Sequence, residues 1–63
     1  MDFKVGDRCM YTVHDFDGTS KVECTITSVG NTYCIAESDD GMKLWISDFN
    51  KDDFKVIRSD TND

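Results

Sequence analysis

From Val22 to Thr27 the chain alternates strictly. Val22, Cys24 and Ile26 fall on one side, and Glu23, Thr25 and Thr27 on the other. A period of two is the mark of a half-buried β-strand. The same alternation appears after the Gly6-Asp7 bend, where Val5, Cys9, Tyr11 and Val13 share one face and Arg8, Met10, Thr12 and His14 share the other. It returns in "MKLWI", with Met42, Leu44 and Ile46 opposite Lys43, Trp45 and Ser47. "TYCIAES" is rich in aromatic and β-branched residues and predicts a further strand, but its facing stays open: either Cys34 and Ala36 point inward or Tyr33 and Ile35 do. "FKVI" predicts a last short strand, and "RSDTND" a polar tail that frays.

Turn residues punctuate these strands. "DFDGTS" predicts a loop in which Gly18 takes positive φ. Gly30-Asn31 is a turn dipeptide, and "SDDG" predicts a hairpin, Asp-Gly being a strong hairpin signal. "SDFNKDD" breaks the alternation and predicts one 3₁₀-type turn capped by Ser47 or Asp48. Five short strands, tight hairpins and one helical turn before the last strand make an all-β domain over residues 1–58, followed by an acidic tail over 59–63. Antiparallel sheets this short hide their edges by curling into a small barrel.

Size limits what such a domain can do. The chain has 63 residues; folding at this length buries only about 60% of the unfolded surface, which leaves little room for an enclosed active site. Thirteen Asp and Glu against seven Lys and Arg give a net charge of −6. That balance argues against direct nucleic-acid binding and favours a soluble surface or one that meets a basic partner. The start "MDFKVGDRC" holds early charges and no apolar run, and no segment reaches the roughly 20 apolar residues of a membrane helix. The expectation is a cytoplasmic protein with no membrane contact.

Cys9, Cys24 and Cys34 are odd in number and sit in strand contexts, which argues against a disulfide framework and for small buried hydrophobes. A zinc site would need these three with His14, but the close pairs such as C-x-x-C that structural zinc sites use are absent. No metal and no cofactor is expected. "DFDG" fails as a calcium loop, since Val13 and Cys24 fall at its first and last ligand positions. Cysteine nucleophilia would need a base and an orienting group, and the adjacent Asp39-Asp40 pair points apart, so no enzyme is expected.

"FKVGDRCMY", "VECTITSVGNTYCIAESDDG" and "LWISDF" together resemble an SH3-like barrel of Tudor type, over Phe3 to Ile57. The resemblance implies core positions at Val5, Cys9, Ile26, Ile46 and Phe49, with Gly6 and Asp7 at the opening bend. It does not imply a reader of methylated lysine or arginine. The aromatic-cage positions fall near Val13, Lys21, Ala36 and Asp39, none of which is aromatic. The small acidic format also resembles bacteriophage-encoded accessory proteins. That likeness implies a host or phage nucleic-acid enzyme or transcription factor as the partner.

Two aromatic residues carry the binding question. Trp45, the sole tryptophan, either covers the open side of the barrel beside Tyr33 and Met10 or forms the centre of a binding face with Phe16. Phe16, at the tip of an acidic loop, either folds back on the barrel end or anchors a partner. The expected function is non-enzymatic protein binding, with Trp45 and Phe16 as anchors and Asp15, Asp17, Asp39 and Asp40 steering a basic surface. The alternative is an acidic mimic that blocks a nucleic-acid groove, and burial in a homodimer is a third use of the same surface.

Overall fold

The computed structural model describes residues 3–58. The expected fraying of 59–63 lies outside the described residues. The strands are β1 (Arg8–Asp15), β2 (Gly18–Val29), β3 (Cys34–Ser38), β4 (Lys43–Ile46) and β5 (Phe54–Arg58), with a 3₁₀ turn at Lys51–Asp53 before the last. They form one antiparallel sheet in the order β4-β3-β2-β1-β5. The β1–β4 meander with β5 added beside β1 is compatible with a small barrel-like fold, but among the described residues no ladder joins β4 to β5, so the sheet is not closed. Among the described residues no helix is long and apolar enough to cross a membrane.

The core lies on the face predicted by the alternation. Cys9, Cys24, Ile26, Cys34, Ala36, Ile46 and Phe54 are buried, with Phe3, Tyr11 and Leu44 packed against them. The open facing of β3 resolves toward the small pair: Cys34 and Ala36 are fully buried, and Tyr33 lies on the outer face. Three thiols and an alanine pack there with Ile26, Ile46 and Phe54.

Two expected core residues are not there. Val5 is more than half exposed and Phe49 is fully exposed. The alternation ends at Ile46, where Ser47 and Asn50 take over the backbone. Asn50 Oδ1 accepts from the Ser47 N–H at 2.7 Å, and Asn50 Nδ2 donates to the Trp45 carbonyl at 2.9 Å. The chain turns through 48–50, and this turn projects Phe49 outward. Phe54, three residues past the 3₁₀ turn's first residue, takes the expected core role instead. The 3₁₀ turn begins at Lys51 and has no side-chain cap; Ser47 Oγ instead accepts from the Phe49 N–H at 3.2 Å.

Each bend satisfies its own backbone. Gly6, at φ 97°, donates to the Ile26 carbonyl at 2.9 Å, and the buried Asp7 accepts the Lys4 N–H at 3.0 Å. At the β3–β4 hairpin, Gly41 at φ 94° donates to the Ser38 carbonyl at 2.9 Å. The expected loop "DFDGTS" is shorter than predicted. Only Phe16 and Asp17 turn, and β2 already begins at Gly18, paired with Asp15. Thr19 and Ser20 extend the ladder to His14 and Val13. Beyond Tyr11 and Val22, β1 and β2 therefore run on as a two-stranded ribbon that no third strand joins among the described residues. The molecule measures 38 × 23 × 19 Å.

Candidate functional site

Trp45 stands on the outer face of β4, directly across from Ile35. Its ring lies 5.1 Å from that of Tyr33, tilted by 37°, the diagonal contact that the pleat allows. Trp45 remains 58% exposed. The Asn50 amide on its carbonyl pins the end of β4, so the indole is displayed from a fixed backbone. Met10, expected beside it, is elsewhere on the sheet. It pairs with Glu23 and Lys55, on the β1–β5 side.

Asp39 and Asp40 form the β3–β4 turn, and both are engaged within the molecule. The Arg8 guanidinium donates to Asp39 at 3.1 and 3.2 Å, to Glu23 at 2.6 and 3.1 Å, and to Thr25 Oγ1 at 2.6 Å. The hydrogen bonds it donates to Asp39 and then to Glu23 push the guanidinium pKa up from its ordinary value. Asp40 accepts from the hydroxyl of the buried Ser38, whose Oγ in turn accepts the Met42 N–H at 3.0 Å. These carboxylates secure a turn as well as lending charge.

Phe16 occupies the tip of the ribbon and is fully exposed; it does not fold back on the sheet. Asp15 Oδ1 accepts the Phe16 N–H at 2.7 Å, which fixes the turn, and the adjoining Asp17 is exposed. The six expected binding residues thus occupy separate places. Gly18 begins β2 at the tip, and Ser28, across from Ile35, lies ten residues further along the same strand. At about 3.3 Å per residue, Phe16 and Trp45 are about 30 Å apart. They are the anchors of two surfaces, not of one.

A third feature escaped the sequence reading. A groove of about 440 Å³ runs along the outer face of β1, floored by Met10, Thr12 and His14. Lys21 of β2 forms one wall; Lys55 and Ile57 of β5, continued by Asp52 and Asp53 of the 3₁₀ turn, form the other. His14 Nε2 lies 3.8 Å from Asp53 Oδ1. Alternation already placed Met10, Thr12 and His14 on one face. What it lacked was the position of the predicted 3₁₀ turn, which packs against β1 and walls the ribbon's flank.

The three thiols face inward. Cys9 and Cys24 are directly opposed in the β1–β2 ladder, and Cys24 Sγ lies 3.6 Å from the Cys9 carbonyl. His14 is on the other face of β1, pointing away from them. Among the described residues no three His, Cys, Asp or Glu side chains are grouped to hold a metal ion. No protein-family model, curated protein or solved structure matches this chain.

Proposed function

We propose that this protein is a small non-enzymatic binding module, an SH3-like barrel of Tudor type in finer terms, that docks on a protein partner through Trp45. The supporting observation is the Trp45–Tyr33 pair: two aromatic rings 5.1 Å apart, exposed on a hydrogen-bonded sheet face. A rigid, exposed aromatic pair offers a large contact area with little side-chain entropy left to lose, the property of interface anchors. The acidic surface steers a partner with a basic face, with Asp15 and Asp17 at the ribbon tip as a second contact. In a bacteriophage setting the partner is a nucleic-acid enzyme or transcription factor, which docking inhibits or redirects.

Charge mimicry of a nucleic acid is the weaker reading, because Glu23, Asp39 and Asp40 are committed to Arg8 and Ser38. Affinity capture from lysate with wild type and Trp45→Ala, each at low and high salt, separates the two. A partner lost with Trp45→Ala yet retained in salt supports docking. One retained by the variant yet lost in salt favours mimicry and sinks the docking reading.

A further inference from the structure

In a protein with a net charge of −6, two cations of the groove are uncommitted. Among the described residues, Lys21 and Lys55 enter no ion pair, whereas Arg8 and Lys51 each do. Met10 is the ladder partner of Lys55, and Ile57 follows two residues further along β5, so the floor beside the lysines is apolar. This combination suits an occupant with an apolar group flanked by two acids. Such a segment exists on this chain: Asp15-Phe16-Asp17, with Phe16 fully exposed. It cannot reach the Met10 end of its own groove, because six residues of extended chain, about 20 Å, separate Met10 from Phe16.

We propose that the groove receives the β1–β2 turn of a second copy of this chain. Phe16 then lies over Met10 and Ile57, and Asp15 and Asp17 meet Lys55 and Lys21. The groove runs from the base of the ribbon along its flank and the tip closes its end, so two ribbons packed antiparallel about a two-fold axis make the contact twice. That is the self-complementary arrangement of a closed dimer. The groove's own acids constrain the fit. Asp53 faces His14 across 3.8 Å, while Asp52 repels the incoming carboxylates and keeps them on the lysine side. The assignment goes beyond the Trp45 reading and is independent of it, since Trp45 sits at the far end of β2 and stays open in such a dimer.

Sedimentation equilibrium of the full chain, from about 10 µM to about 1 mM, tests it. The expected result is a reversible monomer–dimer equilibrium. Phe16→Ala and Ile57→Glu each weaken it at least about tenfold, as loss of an interface anchor does. The circular dichroism spectrum stays unchanged, Phe16 being outside the core. Mixing these two variants recovers part of the association, because the mixed dimer retains one intact tip–groove contact. Asp17→Lys weakens the dimer, and adding Lys21→Asp restores it. A monomer at the highest concentration overturns the proposal, as does a dimer undiminished by Phe16→Ala. A dimer lost instead with Trp45→Ala places the second copy at the β3–β4 end of the sheet and overturns it equally.

Discussion

The ring of Phe54 stacks on that of Tyr11, with centroids 4.3 Å apart and planes 12° from parallel. The two residues are direct partners in the β1–β5 ladder, the only ladder that holds β5 among the described residues. Phe54 is 6% exposed, and the next four residues of β5 are exposed, so this one side chain docks the strand. Removing a buried phenylalanine costs about 3–5 kcal/mol. A domain of 63 residues has only about 3–9 kcal/mol in total. Phe54→Ala is therefore expected to leave much of the population unfolded at room temperature, and Phe54→Leu to fold with a lower urea midpoint. Urea titrations followed by circular dichroism check both; an unchanged midpoint in Phe54→Ala would mean that β5 is held by something else.

Arg8 joins three parts of the sheet by side-chain bonds: its own strand, Glu23 and Thr25 on β2, and Asp39 in the β3–β4 turn. The bonding is forked, with two guanidinium nitrogens on Asp39 and two on Glu23. A lysine carries the charge without the fork. Arg8→Lys and Arg8→Met should both loosen the turn, read as faster amide exchange at Asp39, Gly41 and Met42, whose N–H groups are bonded there. The lysine variant should recover little of the loss. Full recovery by lysine would show that charge, not geometry, secures the turn.

How much of this was readable in advance follows from where local rules operate. The faces of β1 and β2 were legible because Cys9, Tyr11, Val22, Cys24 and Ile26 alternate without a break. β3 was not, since Tyr33 and Ile35 are as apolar as Cys34 and Ala36; packing at the centre decided for the smaller pair. Phe49 and Phe54 looked alike in sequence, one aromatic on either side of the helical turn, and only the Ser47–Asn50 backbone bonds determine which points inward. Trp45 and Phe16 were each recognisable as unusual residues. Their separation was not, because it depends on β2 running twelve residues and starting at Gly18.

Burial pushes the Cys9 thiol up to about 11, with the nearby Cys24 and Asp7 adding to the shift, and burial also raises Cys24. A raised value means that the folded state holds a proton which the unfolded chain releases. Stability from these thiols is therefore complete below about pH 9 and falls as pH rises toward about 11. Urea midpoints should match between about pH 7 and about pH 8.5, then drop by about pH 10.5. Cys9→Ala should flatten that drop while lowering stability at neutral pH by about 1 kcal/mol, the cost of a small cavity. Thiol reagents should react in urea but not in native buffer. A steep alkaline decline that survives replacement of both Cys9 and Cys24 would assign it to other groups.

Stability also distinguishes an interface Trp45 from a wall Trp45. A tryptophan closing the sheet would be largely buried, and truncating it would cost about 3–5 kcal/mol. Here the indole is 58% exposed, and its main neighbour is Tyr33. A cross-strand aromatic pair of this kind contributes about 0.5–1.5 kcal/mol. Trp45→Ala should therefore lower the urea midpoint modestly, and Tyr33→Ala should lower it by a similar amount. The double variant should cost less than the two single changes summed, because each single change already removes the ring contact. Intrinsic fluorescence of the native protein should be quenched readily by iodide, as an exposed indole requires. A cost for Trp45→Ala as large as that for Phe54→Ala, with fluorescence shielded from quencher, would make the residue part of the core and remove it from the docking surface.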